Sequence, residues 1–171
     1  MKSLWLSMFA SLVLVAAPTH AQSAPTKRLG KFGPWTALLD GGKNGRICYV
    51  YAEPASKKGR YSKRGDVFVE VIHAPAEDRR NEVLFIAGYT YKKGGNVRVD
   101  IDGRKFVLFT DKDTAWTSGP TKDRDLVRAM RQGLRMVVRG RSWRGTLTTD
   151  TYSLKGFTAA HRAISAACNV R

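Results

Sequence analysis

The chain is poor in acidic residues and histidine, and its sequence contains no complete catalytic motif. It has 14 Asp and Glu against 30 Lys and Arg, and only three histidines. It lacks a phosphate-binding loop, a dinucleotide-binding glycine pattern and a zinc-protease motif. Ser142 lies in Gly140-Arg141-Ser142-Trp143-Arg144, which is not the Gly-x-Ser-x-Gly turn of a nucleophile elbow. These absences predict a protein that is not an enzyme and that carries no cofactor or metal.

Two weaker arrangements leave chemistry open as an alternative. Asp150, Ser153 and His161 would form a hydrolase triad only if the fold brought them together. Asp100-Ile101-Asp102-Gly103 resembles the opening of a calcium-binding loop, but Asp111 stands where such a loop ends on a bidentate Glu. Asp-Gly between alternating segments is also a typical hairpin turn, which explains this motif without a cation.

Long apolar runs are absent beyond the N-terminus, and the one that is present is short. Lys2 precedes the apolar stretch Leu4–Ala17, and Thr19-His20-Ala21 supplies small residues for a cleavage site. This order is typical of a secretory signal peptide, whereas a spanning helix needs about 20 apolar residues. The sequence predicts a signal peptide over residues 1–21 and an exported chain without a transmembrane segment. A retained N-terminal anchor helix is the alternative.

Cysteine is scarce, with only Cys48 and Cys168 in the chain. An exported pair in an oxidising compartment usually forms a disulfide. Cys168 falls on the apolar stripe of a predicted C-terminal helix and Cys48 on one face of a predicted strand. We expect a Cys48–Cys168 bridge, with two free thiols or a metal site as alternatives.

The hydrophobic pattern predicts a mainly β protein. Alternating segments such as Val67–Ile72 and Val97–Ile101 recur at short intervals between turn residues, which is typical of an antiparallel sandwich or barrel. Helical spacing appears only at Thr121–Gln132 and at residues 157–168. We predict an antiparallel β-sandwich with two short helices, the last one C-terminal. We expect residues 22–33 to form a flexible lead-in, residues 34–171 a single domain, and residues 54–65 an exposed loop.

Positive charge is the abundant feature, with a net charge of +16. The stretch Leu126–Thr149 contains no acidic residue. Arginine suits phosphate and carboxylate groups because its planar guanidinium makes paired hydrogen bonds. The predicted anion-binding residues are Arg128, Arg131, Arg135, Arg139 and Arg141. The alternative is an ordinary solvated face that keeps the protein soluble.

The C-terminal half resembles a known family. The segments that carry the resemblance are Arg141–Thr146 and the run from Asp150 to Ala160, closing on Cys168. The residues of this resemblance that are most specific to the family are Asp150, Thr151, Tyr152, Ser153, Leu154, Gly156 and Phe157. With supporting matches from Trp35 onwards, the chain is similar to the invasion-associated locus B (IalB) family over nearly the whole mature domain. The resemblance implies a β-sandwich exported by a Gram-negative bacterium and linked to host-cell invasion, without established catalytic residues.

These observations predict an exported, non-enzymatic binding protein of the bacterial envelope. It would be periplasmic, outer-membrane-associated or secreted, and its expected partner is an anionic envelope component or a host-surface component. Nucleic acid is not an expected partner of an exported protein. One alternative is a basic module that docks on anionic lipid or cell-wall polymer without a host role, and the second is a hydrolase of unknown substrate. The sequence leaves the oligomeric state open.

Overall fold

The computed structural model describes residues 24–42 and 45–171 of the chain. This part contains eleven strands, two α-helices and a short 3-10 helix at Pro75–Glu77. The strands are β1 (Ala24–Phe32), β2 (Trp35–Gly42), β3 (Gly45–Ala52), β4 (Ser56–Gly59), β5 (Phe68–Ala74), β6 (Arg79–Ile86), β7 (Asn96–Ile101), β8 (Arg104–Asp111), β9 (Thr114–Trp116), β10 (Arg135–Arg141) and β11 (Leu147–Ser153). The helices are α1 (Pro120–Gln132) and α2 (Phe157–Ala167). The predicted signal peptide, residues 1–21, lies outside the described residues.

All eleven strands join in one antiparallel sheet, in the order β1-β2-β3-β5-β6-β9-β8-β7-β10-β11-β4. The two halves of this sheet pack against each other. Trp35 of β2 donates its indole N–H to the carbonyl oxygen of Ser153 on β11, at 3.0 Å. Phe85 of β6 meets Tyr152 of β11 edge to face, with 6.5 Å between ring centroids. The predicted antiparallel β fold with two helices, the last C-terminal, is confirmed, and its two layers are halves of a single sheet.

The core follows the alternation that the sequence predicts. Val97, Val99 and Ile101 of β7 are buried, whereas Arg98 between them is exposed. Both helices add their apolar stripes to the same core, which includes Leu126 and Met130 of α1 and Phe157 and Ile164 of α2. Helix α2 lies against β1, β2 and β3, and α1 lies against β6.

The Cys48–Cys168 disulfide is present, with 6.0 Å between the Cα atoms. Cys48 lies in the middle of β3, and Cys168 follows the last residue of α2. Both residues are buried. The bridge therefore fastens the C-terminal helix to the sheet.

The structure corrects two predictions about loops. Residues 24–32, expected to be part of a flexible lead-in, form strand β1, which pairs with β2 through Lys27↔Leu39 and Phe32↔Trp35. Residues 56–59, expected to lie in a loop, form the edge strand β4, paired with β11. Both segments are polar and basic because they form the two edges of the sheet, where charged side chains discourage pairing with other chains. Their conformation is set by backbone pairing with the neighbouring strand. The hydrophobic pattern of their side chains does not reveal this pairing.

Within the described part of the chain, no helix has the length and apolar character needed to span a bilayer.

Candidate functional site

The five arginines predicted to bind anions fall into two separate groups. Arg128 and Arg131 lie on α1, whereas Arg135, Arg139 and Arg141 alternate along β10 with their side chains exposed. The groups belong to different surfaces, because β10 pairs with β7 and β11 while α1 packs on β6. The predicted anion-binding residues therefore lie on two basic surfaces.

The α1 pair belongs to a groove between the two helices, of about 370 Å³, which we call the arginine groove. It is lined by Asn81, Arg124, Val127, Arg128, Arg131, His161, Arg162, Ser165, Val170 and Arg171. Five of these residues are arginines, and none is Asp or Glu. Arg128 makes one ion pair at its rim, a 3.4 Å contact with Asp125 in which both side chains are largely exposed. The groove thus gathers positive charge without carboxylate side chains in its lining.

Helix periodicity accounts for the groove. Arg124, Arg128 and Arg131 are spaced i, i+4 and i+7, so they share one face of α1. Leu126 and Met130 occupy the opposite side and are fully buried. Burial of that apolar stripe fixes the rotation of the helix and turns the arginines towards α2, which contributes Arg162.

The second basic surface is the outer face of the sheet around β10. Arg139 lies directly opposite Arg98 of β7 and Thr149 of β11, and Thr149 lies opposite Lys58 of the edge strand β4. Like charges at directly opposed positions destabilise a sheet. The Arg98–Arg139 pair therefore destabilises the sheet locally. The exposure of both side chains to water reduces this effect.

A pair of buried histidines adjoins the arginine groove, and one of them, His161, is part of its lining. His73 accepts a hydrogen bond from the Asn81 backbone N–H through Nδ1, at 3.0 Å, and its Nε2 lies 3.1 Å from Ser165 Oγ. His161 Nε2 lies 2.7 Å from Asn81 Oδ1. Burial lowers the pKa of His73 from 6.5 to about 4, and the charges of His161 and Arg80 act in the same direction. Burial, followed by the charge of Arg131, likewise lowers the pKa of His161 to about 4.

These shifts predict acid sensitivity. Well above pH 6.5 both histidines are neutral whether the chain is folded or unfolded. As the pH falls from 6.5 to about 4, the unfolded chain takes up protons that the folded chain does not, and stability is lost. For each histidine the loss at pH 5 is on the order of 2 kcal/mol.

A His161→Gln variant isolates this effect. We expect the stability difference between wild type and variant, measured by urea unfolding, to shrink by about 2 kcal/mol between pH 7 and pH 5. The buried Asp123, whose pKa burial raises, is present in both proteins, so its titration cancels in the comparison. A difference that stays constant from pH 7 to pH 4 would contradict the prediction.

A second concave feature lies at the other end of the strands, and we call it the aromatic cleft. It has a volume of about 430 Å³. Its lining is Arg60, Tyr61, Ser62, Lys63, Arg64, Gly65, Gly88, Tyr89, Ser142, Trp143, Arg144, Thr146 and Thr148. Asn81 of the groove lies near the start of β6 and Gly88 just past its end, which places the two features about 20 Å apart along that strand.

A buried ion pair forms the base of the aromatic cleft. Arg64 donates from both terminal nitrogens to the two carboxylate oxygens of Asp150, at 2.7 and 2.6 Å, and from Nε to the carbonyl oxygen of Ala87 at 2.7 Å. The two side chains are only 4% and 6% exposed. Burial alone would lower the pKa of Arg64, but the hydrogen bond and charge of Asp150 raise it. The guanidinium also lies over the rings of Tyr61 and Tyr89.

Sequence reasoning missed Arg64, because it lies in a basic segment that resembles a solvated loop. One signal was available. Thr148, Asp150 and Tyr152 alternate along β11 and all face inwards. A carboxylate on the inward face of a strand needs a buried partner.

The family-motif residues have structural roles. Asp150 holds Arg64, Tyr152 and Leu154 are buried in the core, and Thr151 and Ser153 lie half-buried on the other side of the strand. Gly156 immediately precedes α2 and has φ +87°, and an added Cβ there would lie 2.3 Å from the Phe32 carbonyl oxygen. The Phe157 ring packs edge-on against Trp35, with centroids 4.7 Å apart.

The structure does not assemble the hydrolase triad. Asp150 is paired with Arg64, and His161 is bonded to Asn81. Ser153 Oγ accepts a 3.3 Å hydrogen bond from the Lys155 backbone N–H. Asp150 and Ser153 are three residues apart on one strand, so their side chains point to opposite faces. Across residues 24–42 and 45–171, no three His, Cys, Asp or Glu side chains are grouped to hold a metal ion.

Comparisons with known proteins place the fold. The family model described as invasion associated locus B (IalB) protein matches residues 35–165. The crystal structure of invasion associated protein B from Bartonella henselae is similar, with a TM-score of 0.54 at 15% sequence identity, covering 85% of this chain and 99% of that chain. No curated protein sequence matches the chain. At 15% identity, the similarity to the solved structure supports the fold alone.

Proposed function

Since this chain belongs to the invasion associated locus B (IalB) family, we propose that it is an exported, non-enzymatic binding protein of the bacterial envelope. The disulfide between Cys48 and Cys168 supports export, because such bonds persist in oxidising compartments. Its location would be periplasmic, outer-membrane-associated or secreted. Its partner would be an anionic envelope component that binds in the arginine groove.

One observation carries this function: five arginines line a single groove that has no acidic side chain in its lining. Clustered guanidinium groups repel one another, and a bound anion removes that repulsion while making paired, charge-assisted hydrogen bonds. Arg124, Arg128 and Arg131 approach from one helix and Arg162 from the other. A phosphate or carboxylate in the groove would therefore be held from two sides.

The test compares two double charge reversals that alter the net charge equally. Arg128→Glu/Arg131→Glu changes the groove, and Arg135→Glu/Arg139→Glu changes the outer face of the sheet. We expect the groove variant to bind vesicles of phosphatidylglycerol and phosphatidylcholine at least about tenfold more weakly, since each arginine near an anionic surface contributes about 1 kcal/mol. The outer-face variant should change binding less. Co-sedimentation across a salt series measures both, and wild-type binding should weaken as salt rises.

Each other outcome of this test is informative. Equal, salt-insensitive binding by all three proteins would leave the arginines as a solvated face and would contradict the proposal. A larger loss in the outer-face variant would move the anion site to β10. Immobilised heparin, used in a parallel arm, separates the alternative of a host-surface partner from an envelope lipid.

A further inference from the structure

The aromatic cleft contains an exposed tryptophan side chain that does not pack in the hydrophobic core. Trp143 is 61% exposed, and Tyr61, which also lines the cleft, is 37% exposed. The Arg144 guanidinium carbon lies 4.9 Å from the centre of the Trp143 ring. Trp35, in contrast, is fully buried. A large aromatic ring that lies in a concave site and stays open to water is available to a ligand.

Backbone hydrogen bonds hold the segment that presents this indole. Trp143 donates its N–H to the Thr90 carbonyl oxygen at 2.9 Å, and Lys92 donates to the Arg141 carbonyl oxygen at 2.9 Å. Within the turn, Ser142 donates to the Thr146 carbonyl oxygen at 2.9 Å. The exposed position of Trp143 is therefore a property of a fixed turn. A binding group that is already held in place loses little entropy when a ligand arrives.

Hydrogen bonds also fix the side chains at the base of the cleft. Arg64 is bonded to Asp150 and Ala87, so its charge is neutralised within the protein. Tyr89 Oη lies 2.6 Å from Thr148 Oγ1. The cations left to face a ligand are Arg60, Lys63 and Arg144, which are all exposed. The cleft lining contains no Asp or Glu.

These side chains specify a ligand chemistry. The flat aromatic surface suits a ring with an apolar face, and serine, threonine and tyrosine hydroxyls both donate and accept hydrogen bonds, as sugar hydroxyls require. The exposed arginines and lysine suit carboxylates. We propose that the aromatic cleft binds an acidic, uronate-bearing oligosaccharide, with one sugar ring packed on Trp143 and its carboxylate paired with Arg144. This site is separate from the arginine groove, and it rests on the proposed function only in placing the protein outside the cytoplasm.

The experiment titrates the full mature chain with a galacturonate tetrasaccharide and, as the host-type arm, a hyaluronan tetrasaccharide. Maltotetraose is the neutral control. We expect an acidic tetrasaccharide to bind and to change tryptophan fluorescence, and maltotetraose to bind at least about tenfold more weakly. Trp143→Ala and Arg144→Glu should each weaken binding at least about tenfold. Tighter binding of hyaluronan would favour a host-type polysaccharide, and tighter binding of galacturonate would favour another uronate polymer.

Leu134→Ala is the matched control, because Leu134 is a 77% exposed apolar residue outside the cleft. It should bind as wild type does. Trp143→Phe should keep most of the affinity and lose most of the fluorescence change, which separates stacking from altered folding. Arg128→Glu/Arg131→Glu should bind the sugar normally, so failure of the groove proposal would leave this one standing.

Three results would overturn the proposal. The first is no binding of either acidic tetrasaccharide by the wild-type protein at millimolar concentration. The second is equal affinity of wild type and Trp143→Ala. The third is Trp143-dependent binding of a thymidine tetranucleotide with no binding of the sugars, which would assign the cleft to nucleic acid instead, since stacked bases and phosphates use the same side-chain types.

Discussion

Replacement of Asp150 by asparagine is expected to lower the free energy of unfolding by about 3–5 kcal/mol. The asparagine keeps the size of the side chain but removes its charge, and it places an amide donor where Arg64 needs an acceptor. The Arg64 side chain is only 4% exposed, so water cannot replace the lost partner. An unpaired buried charge accounts for most of the expected loss. Urea unfolding of wild type and variant at pH 7 measures it.

Asp125→Asn is the matched control for this prediction. Asp125 pairs with Arg128 at 3.4 Å, but these side chains are 40% and 66% exposed. Exposed pairs of this kind contribute about 0–1 kcal/mol, so the control should be close to wild type. Replacing both members of the buried pair, as in Arg64→Met/Asp150→Leu, should give a protein more stable than Asp150→Asn, because no buried charge then remains. A cost for Asp150→Asn no larger than for Asp125→Asn would contradict the argument.

The pairing of Arg64 with Asp150 could not be predicted from the sequence. Asp150 and Arg64 are 86 residues apart in the chain, and nothing local to Arg64 distinguishes it from the neighbouring exposed Lys63. The arginine groove and the aromatic cleft are likewise formed by elements that are separate in the chain. The arginine groove needs both helices, and the aromatic cleft needs the segment before β5 together with the turn before β11. Local patterns report which side of an element is buried, but they do not report which elements meet.

Within single elements the sequence was informative. The alternation of Val97, Val99 and Ile101 identified β7, and the stripe of Leu126 and Met130 identified α1, because burial requires that periodicity. The three-residue strand β9 is too short to show any period. Strand β1 lies at an edge, and its Leu29 and Phe32 side chains, which pack against the core, are only partly buried. Its two register shifts weaken the alternation further. Elements that bury few side chains therefore show little hydrophobic periodicity in the sequence.

Reduction of the Cys48–Cys168 disulfide is expected to lower the free energy of unfolding by up to about 5 kcal/mol, the chain-entropy figure for a loop of this length. The two residues are 120 positions apart, so the bridge closes a loop that contains most of the unfolded chain. It also keeps α2 on β3. Without the bridge, burial of residues such as Phe157 and Ile164 must hold the helix by itself. Urea unfolding with and without dithiothreitol measures the change.

A Cys48→Ala/Cys168→Ala variant supplies the control for the reductant. It should match the reduced wild type to within about 1 kcal/mol and should not respond to dithiothreitol. The dependence of unfolding free energy on urea should also be steeper without the bridge, because the open chain exposes more surface when it unfolds. Loss of the disulfide should raise hydrogen exchange first in α2, since this helix is the element that the bridge fastens directly. Unchanged unfolding midpoints after complete reduction would mean that the packing of α2 alone holds the fold, and the bridge would then add little to its stability.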